Sequence, residues 1–287
     1  MVGGEAAPVP SRNPFGGREF GLRVFSAIVL AVIVVSALIL GGWSFAVIWL
    51  AAGVVGAAEW IGMSRTEPAK PLTAIIAATL VGLAICVRGG ASAGASLAVL
   101  ILGALALAAL AHGLRGKLRA SSGLAGAAVV ALVPAALRDD PAIGVLGPAW
   151  MFAVVWSTDI LAYFTGRAFG GPKLMPSVSP KKTWSGAVGG LVGGTLAGAA
   201  LVALARPYGG SDLAMAPLVA VALASAAASV LSQGGDLVES ALKRFHGVKD
   251  SGRSIPGHGG VMDRLDGFFA VALLAGLYLI LHRVFAA

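Results

Sequence analysis

"LAMAPLVAVALASAAASVLSQGGDLVESALKRFHG", residues 213–247, changes character part-way along. Up to Ser232 it is almost wholly apolar and has the length of a membrane-spanning helix, which needs about 20 such residues. From Ser232 onward the helical spacing persists but the chemistry does not. Asp236, Glu239, Ser240 and Lys243 fall at i, i+3, i+4 and i+7, a single stripe along a helix. A solvated amphipathic tail is the plainer reading of such a stripe, but this one issues directly from a membrane-grade segment. Arg244 sits beside it. Gly234 and Gly235 are placed to kink the helix just above the stripe, and Gly247 is placed to end it.

The apolar pattern recurs along the chain. Of 287 residues, 57% are hydrophobic and 12% charged, about half the charged share of a soluble domain. Nine spans are predicted, at 22–42, 44–63, 72–88, 93–112, 121–137, 147–168, 186–205, 213–232 and 265–285. The third and fifth are short enough to be tilted, paired or partly re-entrant. The expected fold is an all-α polytopic integral membrane protein. Residues 1–20 read as a cytoplasmic leader, 21–140 as five N-terminal transmembrane helices, and 141–287 as a catalytic unit of helices six to nine with cytoplasmic loops. The apolar core of the first span is too long for a cleaved signal peptide. The single cysteine, Cys86, lies inside a span, which excludes a disulfide framework and a cysteine metal site.

A net charge of +8 raises the question of nucleic acid. The placement of the 21 basic residues answers it. Arg12, Arg18, Arg23, Arg65, Lys70, Arg115, Lys117 and Arg119 precede span one or follow spans two and four. Arg167, Lys173, Lys181 and Lys182 follow span six, and Lys243, Arg244, Lys249, Arg253 and Arg264 separate spans eight and nine. Only Arg88, Arg138, Arg206 and Arg283 fall elsewhere. Positive loops stay cytoplasmic, so the N-terminus is expected inside and the C-terminus outside. The expected location is the bacterial inner (cytoplasmic) membrane, and no nucleic-acid partner is expected.

Few polar groups interrupt the spans. Glu59, near the cytoplasmic end of span two, has as its plainer reading a carboxylate reaching the interface, with a functional role as the alternative that no motif supports. Asp159, in "WSTDILAYFTGRAFG" (156–170), shares a helix face with Tyr163 and Gly166. Ionisable groups inside membranes are expensive and usually face a wet cavity or a protein interior. Asp159 therefore lines a cavity or makes a structural hydrogen bond. Gly186, Gly190, Gly194 and Gly198 recur four apart in span seven. Such a stripe lets helix backbones approach closely, within the subunit or across a homodimer.

The chemistry concentrates beyond span eight. The loop "VKDSGRSIPGHGG" (248–260) carries Lys249, Asp250, Arg253 and His258 among Gly252, Gly257, Gly259 and Gly260. Glycine lets backbone N–H groups approach an anion, while lysine and arginine neutralise phosphate. "MDRLD" (262–266) then opens span nine with Asp263, Arg264 and Asp266, the two aspartates on one face if helical. Carboxylates on two segments across a basic, glycine-rich loop suit a Mg²⁺-phosphate reaction, in which one or two carboxylates and substrate phosphates hold the ion. A second basic loop, "GGPKLMPSVSPKKTWSG" (170–186), is expected on the same side, with Lys181, Lys182 and Thr183 placed to reach a phosphate.

Residues 240–266, "SALKRFHGVKDSGRSIPGHGGVMDRLD", closely resemble the signature of the phosphatidate cytidylyltransferases, also called CDP-diacylglycerol synthases. That signature has a serine, Lys-Arg, Lys-Asp, His-Gly-Gly and Asp-Arg-x-Asp. They stand here as Ser240, Lys243-Arg244, Lys249-Asp250, His258-Gly259-Gly260 and Asp263-Arg264-Leu265-Asp266. "STDILAYFTGRAFG", "SPKKTW" and "GDLVES" upstream are also similar to family segments. The resemblance covers roughly residues 150–275. It implies transfer of CMP from CTP to phosphatidic acid, releasing pyrophosphate. It also implies that Asp236 and Asp263 bind the metal, Mg²⁺ alone or with a second cation, and that Ser240, Lys243, Arg244, Asp266 and the His258-Gly-Gly turn are essential. In that mechanism Lys243, Arg244 and Lys249 bind phosphates.

Two other readings predict different chemistry. "DRLDGFFA" (263–270) begins like the Asp-x-x-Asp-Gly-x-x-Ala-Arg motif of CDP-alcohol phosphotransferases, but Val271 stands at its arginine position and no later aspartates follow. An ion-coupled transporter using Asp159, Asp236 and Asp263 would show inverted repeats and midplane charge; the sequence has no visible repeat.

Overall fold

The computed structural model describes residues 18–255 and 259–285. Nine helices of 18 residues or more run through them: α1 (Arg18–Leu40), α2 (Gly42–Met63), α3 (Ala69–Arg88), α4 (Ala93–Leu110), α5 (Gly113–Asp139), α6 (Leu146–Phe169), α7 (Trp184–Ala205), α9 (Leu218–Phe245) and α10 (Met262–Phe285). A single-turn helix, α8 (Asp212–Met215), precedes α9. Among the described residues, seven stretches are long and apolar enough to cross a membrane: α2, α3, α4, α5, α7 with the turn that follows it, α9, and α10 through Leu281. Leu102, Leu105, Leu204, Leu223 and Ile280 are each more than half exposed. Such outward apolar faces belong against lipid. This is the architecture of an all-α polytopic membrane protein.

Several elements differ from expectation. Span eight does not begin at 213. Ser211 caps α8, and Pro217 stands at the N-cap of α9, which then runs unbroken for 28 residues to Phe245. Gly234 and Gly235 therefore lie inside a continuous helix. Helices three and five are full length; α5 has 27 residues and takes Arg115, Lys117 and Arg119 into its first turns. The loop after α6 forms a two-stranded antiparallel hairpin, β1 (Lys173–Met175) and β2 (Ser179–Thr183), with Lys173 paired to Thr183. The expected end of α9 is confirmed in detail. Gly247 has φ 71°, its N–H bonds the Arg244 carbonyl, and the Val248 N–H bonds the Lys243 carbonyl, the Schellman arrangement.

Two packing devices place the polar residues. The first joins α6, α7 and α9. A Cβ on Gly186 would lie 2.8 Å from the Ala162 carbonyl oxygen, and one on Gly190 2.8 Å from that of Thr158. The glycine stripe thus seats α7 on α6 of the same chain. Thr158 Oγ1 donates to Ser229 Oγ at 2.8 Å, Ser229 Oγ to the Gly190 carbonyl at 3.2 Å, and Trp150 Nε1 to Ser225 Oγ at 2.8 Å. Small residues and interhelical hydrogen bonds hold helices together where lipid removes the hydrophobic drive. The second device is Gly235 on α9, where a Cβ would lie 2.7 Å from the Asp266 carbonyl oxygen on α10. Gly235 serves close approach rather than a kink.

An aromatic stack ties the two halves. Trp49 of α2 lies 4.6 Å from Phe268 of α10 and 6.0 Å from Phe152 of α6 between ring centroids, both stacked. All three are buried. Such offset stacks add about 0.5–1.5 kcal/mol per pair beyond area burial.

Substitution should separate glycines that admit a neighbour from those that do not. Gly190→Val and Gly235→Ala are expected to lower the thermal unfolding midpoint of the detergent-solubilised protein by several degrees. Gly56→Ala and Gly234→Ala, with no atom outside the local helix backbone within 4 Å of the added carbon, are expected to leave it unchanged.

Candidate active site

The charged stripe of α9 and the start of α10 meet across the contact at Gly235. They enclose a polar cavity of about 320 Å³. The described residues lining it are Asp159 from α6, Asp236 and Lys243 from α9, Asp250 from the connecting loop, and Asp263, Arg264 and Asp266 from α10. Asp159 is thus a cavity residue. Asp263 and Asp266 are helical and face the same space.

Asp263 is held from several sides. Its Oδ1 accepts from Lys243 Nζ at 2.6 Å. Its Oδ2 accepts from the Ser251 N–H at 2.9 Å, Ser251 Oγ at 3.0 Å and the Gly260 N–H at 2.9 Å. Lys243 also pairs with Glu239 at 3.1 Å, so one ammonium bridges α9 and α10. Asp236 has fewer partners: Ser240 Oγ donates to its Oδ1 at 3.4 Å, and Lys182 of β2 forms an ion pair with Oδ2. The hairpin after α6 thereby delivers a lysine to the cavity.

Among the described residues, no group of three or more carboxylate or histidine side chains is arranged to hold a metal ion by itself. The cavity nevertheless offers hard oxygen donors from neighbouring aspartates. Two carboxylates completed by substrate phosphate oxygens is the usual Mg²⁺ arrangement, so the residues present fit that ion in company with a polyphosphate.

The sequence candidates divide. Asp236, Lys243, Asp263, Arg264 and Asp266 line the cavity, and Lys182 and Ser240 touch it through Asp236. Gly260 donates its N–H to Asp263, and Gly259, with φ 85°, pairs with Ile255 to turn the loop back. Thr183 is buried and caps α7, accepting from the Gly186 N–H at 3.1 Å. Thr183 is not among the described residues that line the cavity. Lys181, Arg244, Lys249 and Arg253 are exposed and lie outside the cavity lining. His258 lies outside the described residues.

A second, apolar cavity of about 660 Å³ adjoins the first. It lies between α2, α5, α9 and α10, with Gly56, Trp60, Gly126, Leu231, Phe269 and Leu273 in its walls. Glu239 and Asp266 border it too, and Asp266 lines both cavities. A greasy slot thus opens beside a charged one. The end of α9 is docked on the same helices. His246 meets the Trp60 ring edge-on at 5.8 Å, and Trp60 Nε1 donates to the Arg119 carbonyl at 2.8 Å. Burial, with Arg119 and Arg65 nearby, holds the His246 imidazole below its usual range.

Residues 21–282 match the cytidylyltransferase family. The chain belongs to that family. It is 39% identical over 256 residues, 89% of this chain and 92% of the relative, to the phosphatidate cytidylyltransferase of Brucella abortus biovar 1 (strain 9-941). It is 48% identical over 118 residues, 41% of each chain, to the protein of the same name from Bacillus subtilis (strain 168). The corresponding protein of Haemophilus influenzae is 43% identical over 131 residues, 46% of this chain and 44% of the relative.

One residue near this site is not among the sequence candidates. Glu59 is 7% exposed, and four donor groups of the α9–α10 loop and the start of α10 face its carboxylate. The carboxylate within an otherwise apolar span was the available signal.

Lys243 is the charge that reconciles Glu239 with Asp263, both buried to 6% side-chain exposure. Removing one partner of such a cluster leaves an uncompensated charge, at a cost of about 3 kcal/mol or more. Lys243→Met is expected to lower the thermal midpoint measurably in detergent. Adding Glu239→Gln is expected to recover part of that loss.

Proposed function

We propose that the protein transfers CMP from CTP to phosphatidic acid, forming CDP-diacylglycerol and pyrophosphate within a membrane. The observation that carries this reading is the junction at Asp266 between a cavity of carboxylates and cations and an apolar cavity twice its size. A nucleoside triphosphate suits the first, and the acyl chains of a phospholipid suit the second. The phosphate of phosphatidate then lies where the two meet. Family membership and the printed names of the relatives favour this reading over the CDP-alcohol phosphotransferase and transporter readings.

In this reaction an oxygen of the phosphatidate phosphate forms a bond to the α-phosphorus of CTP. The bond from that phosphorus to the bridging oxygen breaks, and pyrophosphate leaves with the electron pair. No general base is required, because a phosphate monoester is largely ionised at neutral pH, with a second pKa near 6. Lys243 and Arg264 face the cavity and bind phosphate oxygens, and Lys182 reaches the same space from β2. Asp236 and Asp263 are the proposed cation ligands, with Asp266 and Asp159 close by. Mg²⁺ bound there supplies charge neutralisation on the triphosphate. Chemistry of this kind needs mainly positioning and charge compensation.

The assay is purified protein with labelled CTP and phosphatidate in detergent, with and without Mg²⁺. CDP-diacylglycerol is expected only when all three are present; transfer of a CDP-bound headgroup to an alcohol instead would overturn the reading. Asp236→Asn and Asp263→Asn are each expected to abolish most turnover and weaken Mg²⁺ activation. The double variant should be scarcely worse than either single, as for residues acting as a unit. Asp250→Asn is expected to do less damage.

Nine spans with the N-terminus inside and the site facing the cytoplasm complete the proposal, in a bacterial cytoplasmic membrane. The asymmetry of the 21 basic residues supports that orientation. In a cysteine-free background, cysteines placed at Lys117 and Lys173 are expected to be shielded from an impermeant thiol reagent in intact cells, and one at Asp140 to be labelled. The reverse pattern would invert the orientation.

A further inference from the structure

The five N-terminal helices carry no signature of their own, yet one of them holds the loop on which the site depends. Glu59 lies one turn from the end of α2, buried, with its carboxylate aimed at Ser251, Ser254, Val261 and Met262. Its Oε1 accepts from Ser254 Oγ at 2.6 Å and the Val261 N–H at 2.9 Å. Its Oε2 accepts from Ser251 Oγ at 3.1 Å and the Met262 N–H at 2.8 Å. Met262 opens α10, so Glu59 satisfies N–H groups that a helix start leaves without intrahelical partners. A carboxylate is also electrostatically favoured at that end.

The loop is shaped around this carboxylate. A Cβ on Gly252 would lie 2.6 Å from Glu59 Oε1, and one on Gly260 2.5 Å from Oε2. Those two glycines leave room for the Glu59 oxygens between them. Ser251 Oγ lies 3.1 Å from Glu59 Oε2 and 3.0 Å from Asp263 Oδ2. It has one proton for two acceptors. The Ser251 and Gly260 N–H groups both donate to the same Asp263 oxygen. Glu59 therefore grips both flanks of the segment that orients Asp263.

We infer that Glu59 is a positioning residue for CMP transfer: α2 clamps the α9–α10 loop through it, and so sets the orientation of Asp263. It acts through the loop and touches neither substrate. The inference rests on the proposed reaction only for its kinetic readout. Charge-assisted hydrogen bonds to a carboxylate are the strong ones, and a misplacement of about 1 Å can cost about 100-fold in rate.

Glu59→Gln keeps the shape of the side chain but replaces one acceptor with a donor, which then faces other donors. It is expected to lower kcat about 10- to 100-fold, with a much smaller change in KM for CTP. Hydrogen exchange is expected to accelerate across residues 249–262 and to stay unchanged in α6 and α7. Glu59→Asp, too short to reach both flanks, should behave alike. Ser254→Ala removes one partner of the clamp and should cost a few-fold. Combined with Glu59→Gln it should add almost nothing, since contacting residues are not additive. Wild-type turnover in Glu59→Gln would overturn the inference. So would exchange rising as much in α6 and α7 as in the loop, or a double variant equal to the product of the singles. The exchange comparison needs no substrate, so it decides the clamp even if the wild-type protein transfers no CMP.

Discussion

The carboxylate of Asp263 gathers hydrogen bonds from Lys243, the Ser251 N–H and the Gly260 N–H, and shares the Ser251 hydroxyl with Glu59. A charged group at the end of a membrane helix is costly unless it is met by partners. Here the partners come from the end of α9, the descending loop and the ascending loop. Meeting them requires α9 to run past the apolar segment to Phe245, the chain to turn at Gly247, and the loop to fold back at Gly259. The site's geometry follows from satisfying that one oxygen pair.

The same constraint explains how the two halves of the chain depend on each other. Asp263 is oriented by a loop that Glu59 holds from α2. Trp49, on the same helix, stacks on Phe268 one and a half turns beyond Asp263. α2 and α5 also wall the apolar cavity that meets the charged one at Asp266. The N-terminal helices are therefore part of the site's construction, although their sequence carries no catalytic motif. The C-terminal helices bring the charge, and the N-terminal helices brace the loop beside it and wall the adjoining apolar cavity.

Much of the fold was legible because lipid imposes a simple rule. A spanning segment must satisfy its backbone internally and present apolar side chains outward, so helices in such a chain appear as long apolar runs. The predicted span 93–112 and the observed α4 at Ala93–Leu110 show how closely this works. Where a span ended in charge the rule weakened. The apolar run begins five residues before α9 because Pro217 sits within apolar residues, and α5 extends beyond its apolar run because its first turns are basic. The charged stripe was legible for a different reason: helical spacing alone puts Asp236, Ser240 and Lys243 on one face.

By itself, then, the sequence determined the helical architecture, the charged stripe on α9 and the pairing of Asp263 with Asp266, because each follows from periodicity along one element. Only the tertiary structure decided which elements meet. Gly235 admits the backbone of α10, the glycine stripe of α7 serves α6 rather than a second subunit, Thr183 turns to cap a helix, and Glu59 reaches a loop 192 residues away. Those outcomes depend on distances between segments remote in the chain, and no local spacing encodes such distances.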